Sequence, residues 1–177
     1  MKSSGYVSPF NRNPGLRPLA PGLNSVSVIV PFYNEEDCVE FVLKEIVKYQ
    51  PDAQVVAVDD GSSDHTWEIM REIEEVTPLR LTENRGQSGA LFAGMSFAAG
   101  DILVMLDGDG QNDPADIQEL VDLVKAGDCD VAVGRRAKRK DTWSRRAASR
   151  IANRIRRCFI QDGISDTGCS LKAFHRD

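Results

Sequence analysis

The chain has 177 residues, 41% of them hydrophobic and 28% charged, proportions that suit one soluble globular domain and leave little room for two. Its net charge of -5 is unevenly spread: Arg135 to Arg157 holds eleven Lys or Arg against the single acid Asp141, so that stretch carries +10 and the remainder -15. The acidic balance excludes nucleic acid as the main partner, and the basic block points to an anionic surface or ligand beside it.

Cys38, Cys129, Cys158 and Cys169 form no C-x-x-C pair, so neither a zinc site nor a disulfide framework is indicated and reduced cytoplasmic thiols are the default. No apolar run approaches the roughly 18 to 20 residues of a membrane span, and the amino terminus lacks the apolar core of a signal peptide. A soluble or peripheral, cytoplasmic protein is expected.

Residues 1–24 contain Pro9, Pro14, Pro18 and Pro21 with little apolar periodicity, which predicts a disordered leader. A folded domain is expected over 25–177. Val26 to Val30 predicts a first strand stopped by Pro31, and Val39, Val42, Leu43, Ile46 and Val47 recur at helical spacing. Val55 to Val58 predicts a second strand running into Asp59-Asp60-Gly61. A helix is predicted from Thr66 to Val76, with Ile69 and Ile73 inward and Ser63 or Asp64 as caps.

Leu79 to Leu81 suits a short strand, Ser88 to Ala99 a small-residue helix close to the sheet, and Ile102 to Leu106 a central strand. Asp113-Pro114 starts a helix with Ile117, Leu120, Val121 and Val124 inside and Gly127 at its stop. Val131 to Val133 closes the series, Ser144 begins a basic helix to about Ile160, and Leu171 to Phe174 adds a strand. Such alternation predicts an α/β fold with a doubly wound, mainly parallel sheet.

Ligands of such sheets bind beyond the carboxyl ends of the strands. Those ends carry Pro31-Phe32-Tyr33-Asn34-Glu35, Asp59-Asp60-Gly61-Ser62 and Asp107-Gly108-Asp109-Gly110-Gln111. Carboxylates converging there repel one another unless a cation or hydrogen-bond donors share the site. The chemistry is therefore expected to centre on Asp107, Asp109, Asp59 and Asp60, and hard oxygen ligands of this kind suit Mg²⁺ or Mn²⁺ with a diphosphate. Alternation along the chain points Asp59 away from Asp60, which ranks Asp59 lower. Tyr33 reads as either a ligand-covering or a packing aromatic, and Glu35 as either a ligand-binding or a helix-capping acid. Gly86 and Gly89 read as permitting close helix packing, Gly89 above all. His65 and His175 do not read as catalytic.

In order and spacing, V-I-V-P-F-Y-N-E-E at 28–36, V-D-D-G-S-S-D at 58–64, N-R-G-Q-S-G-A-L at 84–91, A-A-G-D at 98–101, D-G-D-G-Q-N-D-P at 107–114, V-G-R-R at 133–136 and D-T-G-C-S-L-K at 166–172 resemble family 2 glycosyltransferases of the GT-A fold. The resemblance is strongest to the branch that makes polyprenyl- and dolichyl-phosphate sugars. It implies nucleotide-sugar binding by Pro31, Tyr33, Glu35, Val58, Asp60, Asp107, Gly108, Asp109 and Arg135, with metal held by Asp107, Asp109 and Gln111. It also implies Asp166 near the acceptor and inversion at the anomeric carbon. The expected donor is GDP-mannose and the expected acceptor a polyprenyl phosphate. Members of this branch commonly continue past the last motif, so elements are expected to be missing on the C-terminal side. The basic segment, with Ile151, Ile155 and Phe159 as an apolar stripe, reads either as a peripheral contact with anionic membrane or as a solvated face.

Three rival readings remain open. One is a nucleotide-sugar-binding domain without turnover, and another is transfer to a saccharide hydroxyl with Asp166 as base. The third is a phosphoacceptor domain, which explains neither P-F-Y-N-E nor D-G-D-G-Q, and beside it a nucleotidyltransferase, which would more typically show a glycine-rich, basic first loop than Pro31 to Glu36.

Overall fold

The computed structural model of the protein describes residues 25–134 and 169–176. The leader, Arg135, the basic segment and Asp166 lie outside the described residues. In chain order the elements are β1 (Val26–Phe32), α1 (Val39–Tyr49), β2 (Gln54–Asp59), α2 (Thr66–Glu72), β3 (Val76–Arg80), α3 (Gly86–Phe97), β4 (Ile102–Met105), a 3-10 turn (Pro114–Asp116) leading into α4 (Ile117–Lys125), β5 (Val131–Val133) and β6 (Lys172–His175).

The strands form a six-stranded sheet in the order β3-β2-β1-β4-β6-β5. Pairing is parallel from β3 through β4, and β6 runs antiparallel to both β4 and β5. β6 thus inserts between β4 and β5, a placement that local periodicity does not encode. Apolar side chains pack on both faces. Val39, Leu43 and Ile46 of α1, Met70 of α2 and Ile117 and Val121 of α4 share one buried cluster with β1 and β4, while Ala90 and Ala93 of α3 share the other with Ile29, Val56 and Val58. The prediction of a small-residue helix against the sheet holds at Gly94, where an added Cβ would lie 2.4 Å from Ile29 Cγ2. Gly89 is not the packing glycine, since a Cβ there would meet only Arg85 of its own helix start.

Three boundaries differ from expectation. β1 continues through Pro31 to Phe32. The Ile29 carbonyl accepts from Leu106 N and the Phe32 carbonyl from Asp60 N, so by alternation Pro31 faces the β4 side. There the ladder has already ended at Ile29↔Met105, and no donor is needed. α2 stops at Glu72 because Ile73 turns extended, and Val76 starts β3 opposite Val55. β3 tolerates Pro78 because it is an edge strand. At α4 the expectation holds: Asp113 accepts from Ala115 N and Pro114 occupies the first turn.

Candidate active site

The carboxyl ends of β1, β2 and β4 open on one cleft of about 250 Å³, lined by Pro31, Phe32, Tyr33, Glu35, Asp60, Gln87, Asp107, Gly108 and Asp109. Most residues expected at a nucleotide-sugar site meet here. Tyr33 is 48% exposed at its mouth, so it is not a packing aromatic.

The turn after β1 is held in shape by the turn after β2. Asn34 adopts a positive φ of 54°, its N–H donates to Ser62 Oγ at 2.9 Å, and its side-chain oxygen accepts from Ser63 N at 2.9 Å. The Glu35 N–H donates to Thr66 Oγ1 at 2.8 Å, and the Glu36 carboxylate accepts from His65 N and meets His65 Nδ1, each at 2.9 Å. The α1 start is closed by the Glu35 backbone carbonyl, which accepts from Cys38 N and Val39 N, leaving the Glu35 side chain to the cleft. The N-cap of α2 is His65 and not Ser63 or Asp64; the Asp64 carboxylate, one residue earlier, accepts from Thr66 N at 3.0 Å.

Asp59 and Asp60 separate as alternation requires. Asp59 is fully buried and faces Arg80, its cross-strand neighbour, with Oδ2 at 3.0 Å from Arg80 Nε. That contact is an ion pair without hydrogen-bond alignment. Asp59 Oδ1 accepts from Ser62 N at 2.9 Å, while Arg80 also donates to the Ser62 carbonyl and stacks over Trp67 at 5.6 Å. Asp59 therefore supports the turn and is not part of the cleft. Asp60 faces the cleft, and its Oδ1 accepts from Arg85 N at 2.8 Å, which fixes its rotamer. Val58 is not brought to the cleft; its side chain is fully buried beneath α3, packed with Ile29 and Leu79.

The D-G-D turn passes close over β1. A Cβ on Gly108 would lie 2.5 Å from the Phe32 ring and 2.6 Å from the Pro31 carbonyl, so only glycine lets Asp107 and Asp109 approach the β1 end. Gly110, at φ 70°, then reverses the chain. The Asp109 carboxylate accepts from Gln111 N at 3.0 Å. Gln111 itself is exposed and its side chain does not line the cleft, so the structure does not bring it together with the two carboxylates.

The single proton of the Cys38 thiol is shared between two acceptors, Glu35 Oε2 at 3.2 Å and the Gly108 carbonyl at 3.3 Å. Burial, then the Glu35 carboxylate, push that thiol up to about 12, so it stays protonated and ties the first turn to the D-G-D turn. The described cysteines Cys38, Cys129 and Cys169 are free.

Sequence reasoning missed Gln87, whose side-chain amide donates to Asp107 Oδ1. The N-R-G-Q motif was visible, but its register against Asp107 depends on where α3 starts. Gln87 and Asp107 also border a second cavity of about 230 Å³, lined further by Ser88, Leu91, Met105, Leu106, Cys169, Ser170 and Lys172. The A-A-G-D segment is structural: Gly100 N donates to the buried Ser27 Oγ, and the Asp101 carboxylate accepts from Ser25.

Among the described residues no group of three His, Cys, Asp or Glu side chains converges as a complete metal cage. Asp107 and Asp109, either side of Gly108 on one cleft wall, are two hard-oxygen side chains of the kind Mg²⁺ and Mn²⁺ accept. Among the described residues no helix is long and apolar enough to cross a membrane.

Comparisons with known proteins agree with this geometry. The chain is 38% identical over 158 residues to the undecaprenyl-phosphate 4-deoxy-4-formamido-L-arabinose transferase of Edwardsiella ictaluri, covering 84% of this chain and 48% of the relative. It is 36% identical over 163 residues to the protein of the same name from Proteus mirabilis, covering 87% and 50%. The chain thus spans about half the length of these curated relatives. Its fold matches that of Mycobacterium tuberculosis glucosyl-3-phosphoglycerate synthase, solved with Mn²⁺, UDP-glucose and phosphoglyceric acid, at a TM-score of 0.70 and 17% identity over 86% of this chain and 57% of that one. The sheet is of the GT-A type, and the model of the family described as Glycosyl transferase family 2 matches residues 27–177, so the chain belongs to that family.

Proposed function

We propose that this chain carries the donor-binding and reacting centre of a glycosyltransferase that moves a sugar from a nucleoside diphosphate to a polyprenyl phosphate. One observation carries the reading: an exposed aromatic and the acids Glu35 and Asp60 line one end of a cleft whose other wall is Asp107-Gly108-Asp109. Tyr33 covers the base, and the fixed Asp60 carboxylate accepts base or ribose hydrogens. Asp107 and Asp109 would hold a divalent cation, Mg²⁺ or Mn²⁺, which when bound would offset the charge of the leaving diphosphate. Gln87 directs the Asp107 carboxylate. Cys38, as a neutral thiol, holds Glu35 and the D-G-D turn at a fixed spacing.

The reaction joins an acceptor phosphate oxygen to the anomeric carbon as the bond from that carbon to the diphosphate breaks. A phosphate monoester has a second pKa of about 6, so the acceptor is already anionic near neutral pH and needs no general base. Positioning and electrostatics then supply the rate. The names of the relatives favour undecaprenyl phosphate as acceptor class and an arabinose-type sugar over the mannose expected from sequence. Inversion, and contact of the basic segment 135–157 with anionic membrane, complete the proposal; liposome pelleting that shows no preference for anionic lipid removes the latter.

Calorimetric titration of UDP, GDP, UDP-glucose and GDP-mannose, with and without Mn²⁺ or Mg²⁺, tests the cleft. Metal-dependent binding to one nucleotide class, lost in Asp109→Ala, is expected and names the nucleotide. Binding to none of them overturns the donor reading.

A further inference from the structure

The second cavity lies on the far side of the Gln87–Asp107 hydrogen bond and is assembled differently from the donor cleft. In the sheet, Leu103 pairs with Phe174 and Met105 with Lys172. Side chains directly opposed across a ladder share a face. Leu103 and Phe174 pack into the apolar cluster beneath α3, so Met105 and Lys172 continue the same row one step toward the carboxyl edge. There the row ends in a cation where a further apolar side chain would extend the core. Lys172 is half-buried, lines the cavity, and has no ion-pair partner among the described residues.

Two hydroxyls flank it, from Ser88 on the first turn of α3 and from Ser170. Ser170 Oγ accepts a hydrogen bond from Asn112 Nδ2 at 2.8 Å. That bond occupies the oxygen and leaves the hydroxyl proton available to donate. Asn112 belongs to the D-G-D-G-Q-N segment, so the turn that carries Asp107 and Asp109 also sets the position of Ser170. Leu91 and Met105 supply an apolar side.

We propose that this cavity is a phosphate subsite, with Lys172 as its cation and Ser88 and Ser170 as hydroxyl donors, and that the phosphate it takes is the monoester of the acceptor. The Lys172 ammonium at the cavity wall, with two hydroxyl donors lining the same cavity, matches a phosphate oxyanion. The apolar side suits the first carbons of a lipid chain. Asp107 borders the cavity too and opposes an anion by charge; its Oδ1 is engaged by Gln87, and the cation it would hold is of opposite sign. The cavity adjoins the donor cleft across a single side-chain pair, so an anion seated on Lys172 stands next to the transferred group. This inference rests on the glycosyl-transfer reading for its acceptor, though not for its phosphate chemistry.

The test titrates inorganic phosphate and farnesyl phosphate into wild type, Lys172→Met, Lys172→Arg and Ser170→Ala, in parallel with UDP and GDP in the presence of Mn²⁺. A thermal melt of each variant confirms folding. Lys172→Met is expected to weaken farnesyl phosphate by about tenfold or more, with Lys172→Arg retaining most of the affinity and nucleotide binding unchanged. Loss confined to the nucleotide instead assigns the cavity to the donor's diphosphate and overturns the acceptor as source. Phosphate and farnesyl phosphate binding that is absent, or indifferent to Lys172 and Ser170, overturns the subsite. Lys172-dependent phosphate binding in a protein that binds neither nucleotide leaves the subsite standing and removes the donor reading.

Discussion

The two cavities that meet at Gln87 and Asp107 are made of opposite materials. The donor cleft is formed by turns that follow parallel strands, and its charged groups are all carboxylates: Glu35, Asp60, Asp107 and Asp109. The neighbouring cavity is formed by the first turn of α3 and by the chain entering antiparallel β6. Apart from the shared Gln87 and Asp107, its polar side chains bring one ammonium and two hydroxyls. A site made of carboxylates accepts cations and hydrogen-bond donors, whereas an ammonium flanked by hydroxyls accepts an anion. The sheet thus sets a carboxylate-lined cleft and an ammonium-bearing cavity side by side, which is the pairing the proposed transfer between two phosphate-bearing substrates requires.

The strongest way to break that comparison is to attack its scaffold and its surface separately. Arg80→Ala leaves the Asp59 carboxylate fully buried without its cation, and should cost about 3 kcal/mol, the lower end for a broken buried pair because Arg80 is itself partly exposed. Urea denaturation reads the loss. Asp60→Ala, two atoms of backbone away but facing the cleft, leaves only the Arg85 N–H without its acceptor; it should cost about 1 kcal/mol and abolish nucleotide binding. Equal destabilisation by both substitutions would show that the two aspartates are not divided into support and site.

A smaller effect, which sharpens the comparison, is expected from Gly108→Ala. Its Cβ meets the Phe32 ring at 2.5 Å and the Pro31 carbonyl at 2.6 Å, so the D-G-D turn must lift. Overpacking of this kind costs about 2 kcal/mol. Metal-dependent nucleotide binding should weaken more than stability does, because Asp107 and Asp109 flank the displaced residue. Gly94→Ala, with a Cβ 2.4 Å from Ile29 Cγ2, serves as the control: similar destabilisation, measured by thermal melting, with nucleotide affinity retained.

How far the molecule could be read from its sequence follows the same division. The donor cleft was legible because each wall is a short contiguous segment at a strand end, where alternation alone separates Asp59 from Asp60. The second cavity was not, since Gln87, Met105, Ser170 and Lys172 meet only once β6 has inserted between β4 and β5, a pairing fixed by contacts far apart in the chain. Val58 shows the limit of motif transfer. It stands beside a site residue in sequence, and the pleat turns it into the core. Pro31 shows the limit of breaker rules, because a proline stops a strand only where its missing N–H faces a partner. The extent of α2 was overestimated for a related reason: Ile73 and Val76 fit a helical period, and sheet pairing with Val55 outweighs it.

The smallest expected effect concerns the pair that joins the turns after β1 and β2. The hydrogen bond to Glu36 raises His65 above its ordinary 6.5, and the bonds from the His65 backbone and then its ring lower Glu36 below 4.5. A histidine raised by folding contributes stability below its unfolded value and loses that contribution as pH rises through the folded one. A depressed glutamate contributes above its unfolded value and loses that as pH falls through the folded one. The pair therefore acts between those limits. Wild type and His65→Ala should differ most in urea midpoint between the unfolded values of the two groups, about pH 4.5 to about pH 6.5, and converge as pH rises through the raised folded value of His65, with only a small gap because both groups are exposed. Since the pair braces Asn34 and Glu35 but touches nothing around Lys172, nucleotide affinity should track that window in wild type and not in the variant. Phosphate binding at the second cavity should show no dependence on His65, and a dependence there would mean that the two cavities are coupled through the first turn.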